Sequence, residues 1–309
     1  MKKVAFIFPG QGSQTIGMGK DFFENSDIAK QMVADASGRL NIDFEKLLFE
    51  ENDLLGQTQY TQPAILLVSC IALEIFKSQC DIQPQFVLGH SLGEFSALVA
   101  SGAIDYLDAV ELVHKRGLFM NEACEGAGAG MMALVGLDDA SVENLTSTMR
   151  ENGKKIWAAN YNMDGQIVVA GIKADLESTA QEFKDAGAKR ALVLDMSVAS
   201  HCELLNSAVE KLNPYLQNFI TDNFNVSVIS NVTAQSYSSK SEAMELLSKQ
   251  LVSPVKYKHS VASNDSEIDF FIEFGNGSVL KGLNRKITKV TTLNIADMKS
   301  LQETIDQLS

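Results

Sequence analysis

The chain has 309 residues, 45% of them hydrophobic and 21% charged, a composition ordinary for a globular enzyme and long enough to bury one large core or two modest ones. Its formal net charge of -13 sets most of the surface against nucleic acid and anionic membrane, so no nucleic-acid or membrane role is expected and a polyanionic partner must find a local basic patch. Cys70, Cys80, Cys124 and Cys202 are scattered with no C-x-x-C pair, and the histidines are not clustered, so neither a metal site nor a disulfide framework is expected.

Met1-Lys2-Lys3 leads into the apolar run Val4 to Phe8, which reads as a strand and is too short for a secretory h-region; a cytoplasmic location is expected. The turn Pro9-Gly10-Gln11-Gly12-Ser13-Gln14 follows that strand as a phosphate loop would, but the spacing is wrong. The third glycine comes at Gly17, and Gly19-Lys20 is followed by Asp21 rather than Ser or Thr. A rigid turn whose backbone N–H faces the Ser91 turn is the better chemical use, with a simple tight turn as the bland alternative. Helices are expected through Asp21 to Ser37 and Thr61 to Gln79. The longest apolar stretch, Ala64 to Leu73, is too short to span a bilayer and reads as a core helix.

The strand Phe86 to Leu88 then meets Gly89-His90-Ser91-Leu92-Gly93, and a helical pattern follows. G-x-S-x-G between strand and helix reads as a nucleophile elbow, with Ser91 held clear of the backbone and the N–H of Leu92 placed as an oxyanion donor; a plain helix cap is the bland alternative. Helices continue from Leu92 to Ala123. Within them Arg116 falls twenty-five residues after Ser91. A guanidinium beside Ser91 would select an acyl group ending in a carboxylate, because its planar fork pairs with both oxygens; an arginine in mid-helix is otherwise a solvated or Glu-paired residue.

After the glycine-rich Gly126 to Gly130 the pattern is strand (Met131 to Val135), helix (Asp138 to Glu151), strand (Ile156 to Tyr161), strand (Ile167 to Ala170), helix (Ala174 to Ala186) and strand (Arg190 to Leu194). This β-α-β-β-α-β order is that of the ferredoxin-like split motif, or else a continuation of one α/β sheet. A helix is expected over His201 to Ile220, a strand over Val226 to Ile229, a helix over Ser241 to Gln250, a strand over Asp269 to Phe274 and a helix over Val279 to Ile287. The alternation implies a largely parallel sheet with helices on both faces.

A serine nucleophile needs a base, and four histidines are available. The side chain of His90 should point away from that of Ser91, His114 lies inside a helix, and His259 follows the basic Lys256-Tyr257-Lys258. His201 opens a helix at the return from residues 126–196, where two lobes would meet around a cleft; it is favoured without the other three being excluded.

Taken in order, Phe8 to Gln14, Thr61-Gln62-Pro63-Ala64, Gly89 to Glu94, Arg116-Gly117, Gly165 to Gly171, Gly187 to Arg190, Ser200-His201 and Gln250-Leu251 resemble the malonyl-CoA:acyl-carrier-protein transacylases of bacterial fatty-acid synthesis, nearly end to end. The resemblance implies a hydrolase-like three-layer α/β domain over residues 1–125 and 197–309, with a parallel sheet and a nucleophile elbow, and an inserted ferredoxin-like α+β subdomain over residues 126–196. It implies Ser91 as acyl carrier, His201 as base, the N–H groups of Gln11 and Leu92 as oxyanion hole, and Arg116 as the malonyl carboxylate's partner. Gln250 would orient His201 through its backbone carbonyl, and Gln62, Asn160 and Asn162 would line the pocket.

No cofactor is implied, malonyl-CoA and acyl carrier protein are the expected partners, and a monomer is the family's default. Two departures stand out. Asn276 sits between Gly275 and Gly277 where relatives more often have proline, and Val198-Ala199-Ser200-His201 partly resembles a methylmalonyl-selecting signature but lacks its tyrosine. An acidic carrier protein needs a positive island on this acidic chain. Lys281, Arg285, Lys286 and Lys289 lie in a stretch from Phe274 to Ala296 free of acidic residues, and Lys189-Arg190 is a smaller candidate. On its own G-x-S-x-G also fits an esterase or thioesterase, and a silent carrier-binding subunit is the reading from outside enzymology.

Overall fold

Strands form where short apolar runs are buried on both faces, the condition that parallel sheets impose on their central members. In the computed structural model, which describes residues 2–196 and 198–308, β1 (Val4–Phe8) and β7 (Val228–Ile229) are buried throughout, and the other strands are β2 (Pro84–Gly89), β3 (Ala129–Val135), β4 (Ile156–Met163), β5 (Gln166–Ile172), the more exposed β6 (Arg190–Val193), β8 (Ser236–Tyr237), β9 (Phe270–Phe274) and β10 (Thr291–Ile295). Met1, Ser309 and Ser197, the last at the expected domain boundary, lie outside the described residues.

Two sheets result. The first has the order β10-β9-β1-β2-β7-β8, parallel throughout except for β8, which runs antiparallel to β7. The second has the order β4-β5-β3-β6 and is wholly antiparallel. A backbone seam ties β4 to the segment at Val255, which lies outside both sheets: Tyr161 N donates to Val255 O (2.9 Å) and Val255 N to Ala159 O (2.8 Å). Lys258 reinforces it, its ammonium 2.8 Å from both Asp139 and Asp164.

Helix Thr58–Gln79 is the spine of the larger core. At 22 residues it is long and apolar enough to cross a bilayer by length and composition, but most of it is buried inside the protein, as the core helix expected from Ala64 to Leu73. Pro63 lies within this helix and has no N–H to give the carbonyl four residues back, that of Gln59. His114 supplies the missing donor from the neighbouring helix Tyr106–Cys124, its Nδ1 2.8 Å from Gln59 O. Gly117 lets the two helices approach, since a Cβ there would lie 2.6 Å from the Gln59 Cα.

Several boundaries differ from the sequence reading for local reasons. The helix expected through Asp21 to Ser37 is two, Lys20–Asn25 and Asp27–Leu40, because Ser26 is extended (φ -140°, ψ 126°) between them. The helices from Leu92 to Ala123 break at Gly102, which takes the left-handed φ of 85°, and restart after Asp105, whose side chain caps Leu107 N. The helix expected from His201 begins only at Asn206, after a short 3-10 turn, and the strand expected from Val226 keeps just two residues. Helices Phe44–Phe49, Tyr257–Ala262 and Met298–Leu308 and strands β8 and β10 were not anticipated. Each is short or amphipathic and is held by what it packs on.

Candidate active site

Ser91 lies two residues beyond the end of β2 and has φ 53°, a left-handed conformation that costs a residue bearing a Cβ and persists only where the surroundings hold it. Three contacts do so. Asn231 accepts the Ser91 N–H through Oδ1 (2.7 Å) and donates Nδ2 to Gly89 O (2.6 Å), clasping both arms of the turn. His90 N donates to Phe8 O (3.0 Å), tying the turn to the end of β1. The flanking glycines are required by space: a Cβ on Gly89 would lie 1.9 Å from the Gly93 carbonyl carbon, and one on Gly93 2.0 Å from Phe8 O.

His201, from more than a hundred residues away in the chain, places Nε2 2.8 Å from Ser91 Oγ. Its Nδ1 lies 2.7 Å from the carbonyl oxygen of Gln250. A carbonyl can only accept, so Nδ1 carries the proton and Nε2 is left with a lone pair for the Ser91 hydroxyl. Burial pushes the His201 pKa down to about 3, the positive charge of Arg116 adding to the effect. The ring is thus neutral at pH 7. His201 too has positive φ (60°), so it precedes the helix it was expected to open.

The other three histidines are engaged elsewhere. His90 turns away from Ser91, with Nε2 2.7 Å from Asn162 Oδ1. His114 serves Gln59 O, as above, and His259 Nε2 lies 3.3 Å from Asp139 Oδ2.

Arg116 is 2% exposed, so it is no solvated surface residue. Its Nη1 donates to Gln62 Oε1 (2.7 Å), and its Nη2 reaches Ser91 Oγ (3.2 Å) and Gln250 Oε1 (3.1 Å). The guanidinium rests over the Phe95 ring at 5.4 Å, and its Nε is buried with no partner among the described residues. Burial lowers its pKa to about 10, partly offset by the charge of Glu94. A desolvated cation with a spare donor beside a hydroxyl oxygen is a strong site for a carboxylate.

Gln62 is fully buried and also turns Nε2 toward Thr58 Oγ1 (3.3 Å), which in turn donates to the Gln11 side chain (2.7 Å). The Gln11 turn abuts the Ser91 turn: a Cβ on Gly10 would lie 2.3 Å from His90 O. Among the described residues no group of the protein accepts from the backbone N–H of Gln11 or Leu92. Asn160 and Asn162 lie on β4, where Asn160 Oδ1 is buried without a partner and Asn162 Oδ1 is taken by His90. Asn276 donates to Ser13 O (2.6 Å) and Thr15 Oγ1 (2.9 Å), so the departure from proline fastens the loop before helix Val279–Ile287 to the first turn.

Arg285, Lys286 and Lys289 are exposed along and just after that helix, whereas Lys281 is half-buried and donates to Asn294 (2.8 Å); Lys189 and Arg190 are exposed at the start of β6. Among the described residues no group of three or more His, Cys, Asp or Glu side chains is arranged to hold a metal ion.

The sequence reading missed Asn231, and gave Glu94 and Tyr237 no part. Asn231 follows β7, at the same carboxyl-terminal sheet edge as the other two turns, which is where ligands bind in open α/β sheets. That was its only signal, and a two-residue strand hides it.

The sequence matches the acyl transferase domain family over residues 5–301. It is 40% identical over 311 residues to the malonyl CoA-acyl carrier protein transacylase of Bacillus subtilis (strain 168), covering 100% of this chain and 98% of that one. The crystal structure of malonyl-CoA:acyl carrier protein transacylase from Helicobacter pylori superposes with a TM-score of 0.96 at 45% identity, covering 100% of this chain and 99% of that one. A structure of a type II PKS acyl-carrier protein in complex with its malonyl-transacylase superposes at 0.93, with 33% identity over 99% of each chain.

Proposed function

The chain belongs to the malonyl-CoA:acyl-carrier-protein transacylase family and is an acyl-carrier-protein S-malonyltransferase of fatty-acid synthesis; from that premise we propose a ping-pong cycle through a malonyl ester of Ser91. The observation that carries the proposal is a single atom. Ser91 Oγ lies within hydrogen-bond reach of a neutral histidine nitrogen on one side and of a buried guanidinium on the other.

In the first half-reaction Arg116 takes the malonyl carboxylate and Gln62 steadies the guanidinium, fixing the thioester carbonyl over Ser91. Ser91 Oγ attacks while His201 Nε2 removes its proton, and the Gln11 and Leu92 N–H groups receive the oxyanion. The C–S bond breaks, and His201 returns the proton to the departing CoA thiolate. In the second half the phosphopantetheine thiol of acyl carrier protein gives its proton to His201 and attacks the ester carbonyl, and Ser91 leaves with that proton. Gln250 O keeps the imidazole in one tautomer throughout, so an acidic third member is not needed. Asn160 and Asn162 would line the acyl pocket, Asn162 by way of His90.

The same proposal takes Gly89 to Gly93 as the nucleophile elbow of a hydrolase-like domain (residues 1–125 and 197–309), with residues 126–196 as an inserted ferredoxin-like subdomain. It places the enzyme in the cytoplasm as a monomer without a cofactor. The basic residues Lys281, Arg285, Lys286, Lys289, Lys189 and Arg190 are its candidates for meeting an acidic carrier protein.

Intact-mass analysis tests the cycle. Incubation with malonyl-CoA should add one malonyl group, absent in Ser91→Ala, that chases onto phosphopantetheinylated carrier protein. No adduct, or an acyl group passed only to water, would sink the proposal in favour of a silent subunit or a hydrolase.

A further inference from the structure

Glu94 is a fully buried carboxylate one turn beyond Ser91, and the cycle above leaves it without a task. All three groups pointing at it are donors. Its Oε2 accepts from Gln250 Nε2 (2.8 Å) and Asn231 N (3.1 Å), and its Oε1 accepts from Tyr237 OH (3.0 Å). Gln250 is the link that matters. Its amide turns the NH2 end to Glu94 and the oxygen end to Arg116 Nη2 (3.1 Å), so the amide dipole lies head-to-tail between a buried anion and a buried cation. The same NH2 also reaches Ser91 O (3.0 Å).

We propose that Glu94 is the counter-charge of Arg116, relayed through the side chain of Gln250, and that it sets how strongly Arg116 takes an acyl carboxylate. The inference rests on the reading that Arg116 binds that carboxylate. Glu94 is a positioning residue, since it touches neither Ser91 Oγ nor the guanidinium.

In the empty site one buried cation faces one buried anion. When a malonyl carboxylate arrives, the cation faces two anions in a region that screens poorly, and the repulsion weakens binding unless Glu94 picks up a proton. The group is poised to do so, because burial raises its pKa to about 7 against the opposing effects of its three hydrogen bonds and the charge of Arg116. The charged and titratable groups facing it are Arg116, from helix Tyr106–Cys124, and the Tyr237 phenol, on β8; Gln250 and Asn231 are neutral, and His201 beside Arg116 is uncharged at this pH. An acetyl group brings no carboxylate and should be indifferent to this charge.

The test measures the ratio of malonyl-CoA to acetyl-CoA loading efficiency on Ser91 between pH 5.5 and 8.5. In the parent that ratio should fall as pH rises through roughly 7, as Glu94 ionises. In Glu94→Gln the amide can accept from Gln250 and Asn231 and donate to the Tyr237 oxygen, so the shape is kept while the charge is lost. There the ratio at the alkaline end should rise about fivefold or more, the size typical of coupling between two sites, and the pH step should vanish.

Tyr237→Phe removes a donor that favours the ionised form and leaves Gln250 and Asn231 in place, so the midpoint should move up; this arm stands even if Glu94→Gln does not fold. Equal changes for both acyl groups in Glu94→Gln, or an unmoved midpoint in Tyr237→Phe, would overturn the proposal. Should Arg116→Ala leave the malonyl preference intact, the underlying reading of Arg116 fails, which is a separate and visible result.

Discussion

The antiparallel sheet and the carboxyl-terminal edge of the parallel sheet hold themselves together in different ways. In the first, β3 pairs with β5 and β6, and β4 with β5, so that the partners come from one run of residues 129–193 and the core beneath is apolar. At the second, the contacts that define the site join distant residues: Ser91 to His201, Ser91 to Asn231, Ser91 to Gln250 and Arg116 to Gln62. Nearly every group there is polar, buried and paired. The difference separates stability from chemistry. Damage to the apolar core of the first should be felt mainly as unfolding, and loss of a reacting group at the polar edge mainly as lost rate or lost selectivity.

His201→Ala should show the largest effect, a fall in malonyl loading of about 10²–10⁴-fold, the usual contribution of a positioned general base, with the thermal midpoint little changed. Single-turnover transfer from malonyl-CoA measures it, and a loss under threefold would erase the contrast. Arg116→Ala should come next, with malonyl loading down about 100-fold, because a buried charge partner is removed, while acetyl loading survives or rises. Competition between the two thioesters reads this directly, and equal losses would refute the carboxylate clamp.

On the other side of the comparison, Ile156→Val in β4, a fully buried position, should cost about 0.5–1.5 kcal/mol of stability in denaturant titration and leave the malonyl-to-acetyl ratio untouched. A change in that ratio would mean the two regions are coupled more tightly than their contacts suggest. The smallest effect concerns pH.

His201 is driven from the ordinary 6.5 to about 3 by burial, so it binds fewer protons folded than unfolded across that window. Its contribution to stability is therefore complete above 6.5 and is lost as pH falls toward 3. The acid limb of acetyl loading, which reports the free enzyme's base, should accordingly lie well below 6.5; an acid limb at 6.5 would show that the imidazole is more solvated than the geometry implies.

The same contrast explains what could be read from the chain. All six elements between residues 129 and 193 were legible to within about two residues, since local periodicity and turn glycines carry that information and antiparallel partners lie near in sequence. Ser91 was legible because its turn is dictated by its immediate neighbours, two glycines that no larger residue can replace. The spacing of Arg116 from Ser91 suggested a carboxylate partner but left a solvated helix residue as the alternative, and only packing shows it buried, its guanidinium over the Phe95 ring. Strand β8 and the helix Tyr257–Ala262 were invisible, being too short to show a period of their own.

The sequence by itself determined the local conformations: the Gly89 to Gly93 turn, the first glycine-rich turn, the proline that frees Gln59 O, and the residue types from which a base and a cation could be drawn. Tertiary structure alone decided which histidine meets Ser91, which tautomer it holds, that Asn231 clasps the turn, and that Glu94 and Arg116 share the Gln250 amide between them. The physical reason is range. Backbone sterics and hydrophobic period act over a few residues and are written in order, whereas hydrogen bonds between buried polar groups depend on strands and helices brought together from across the chain.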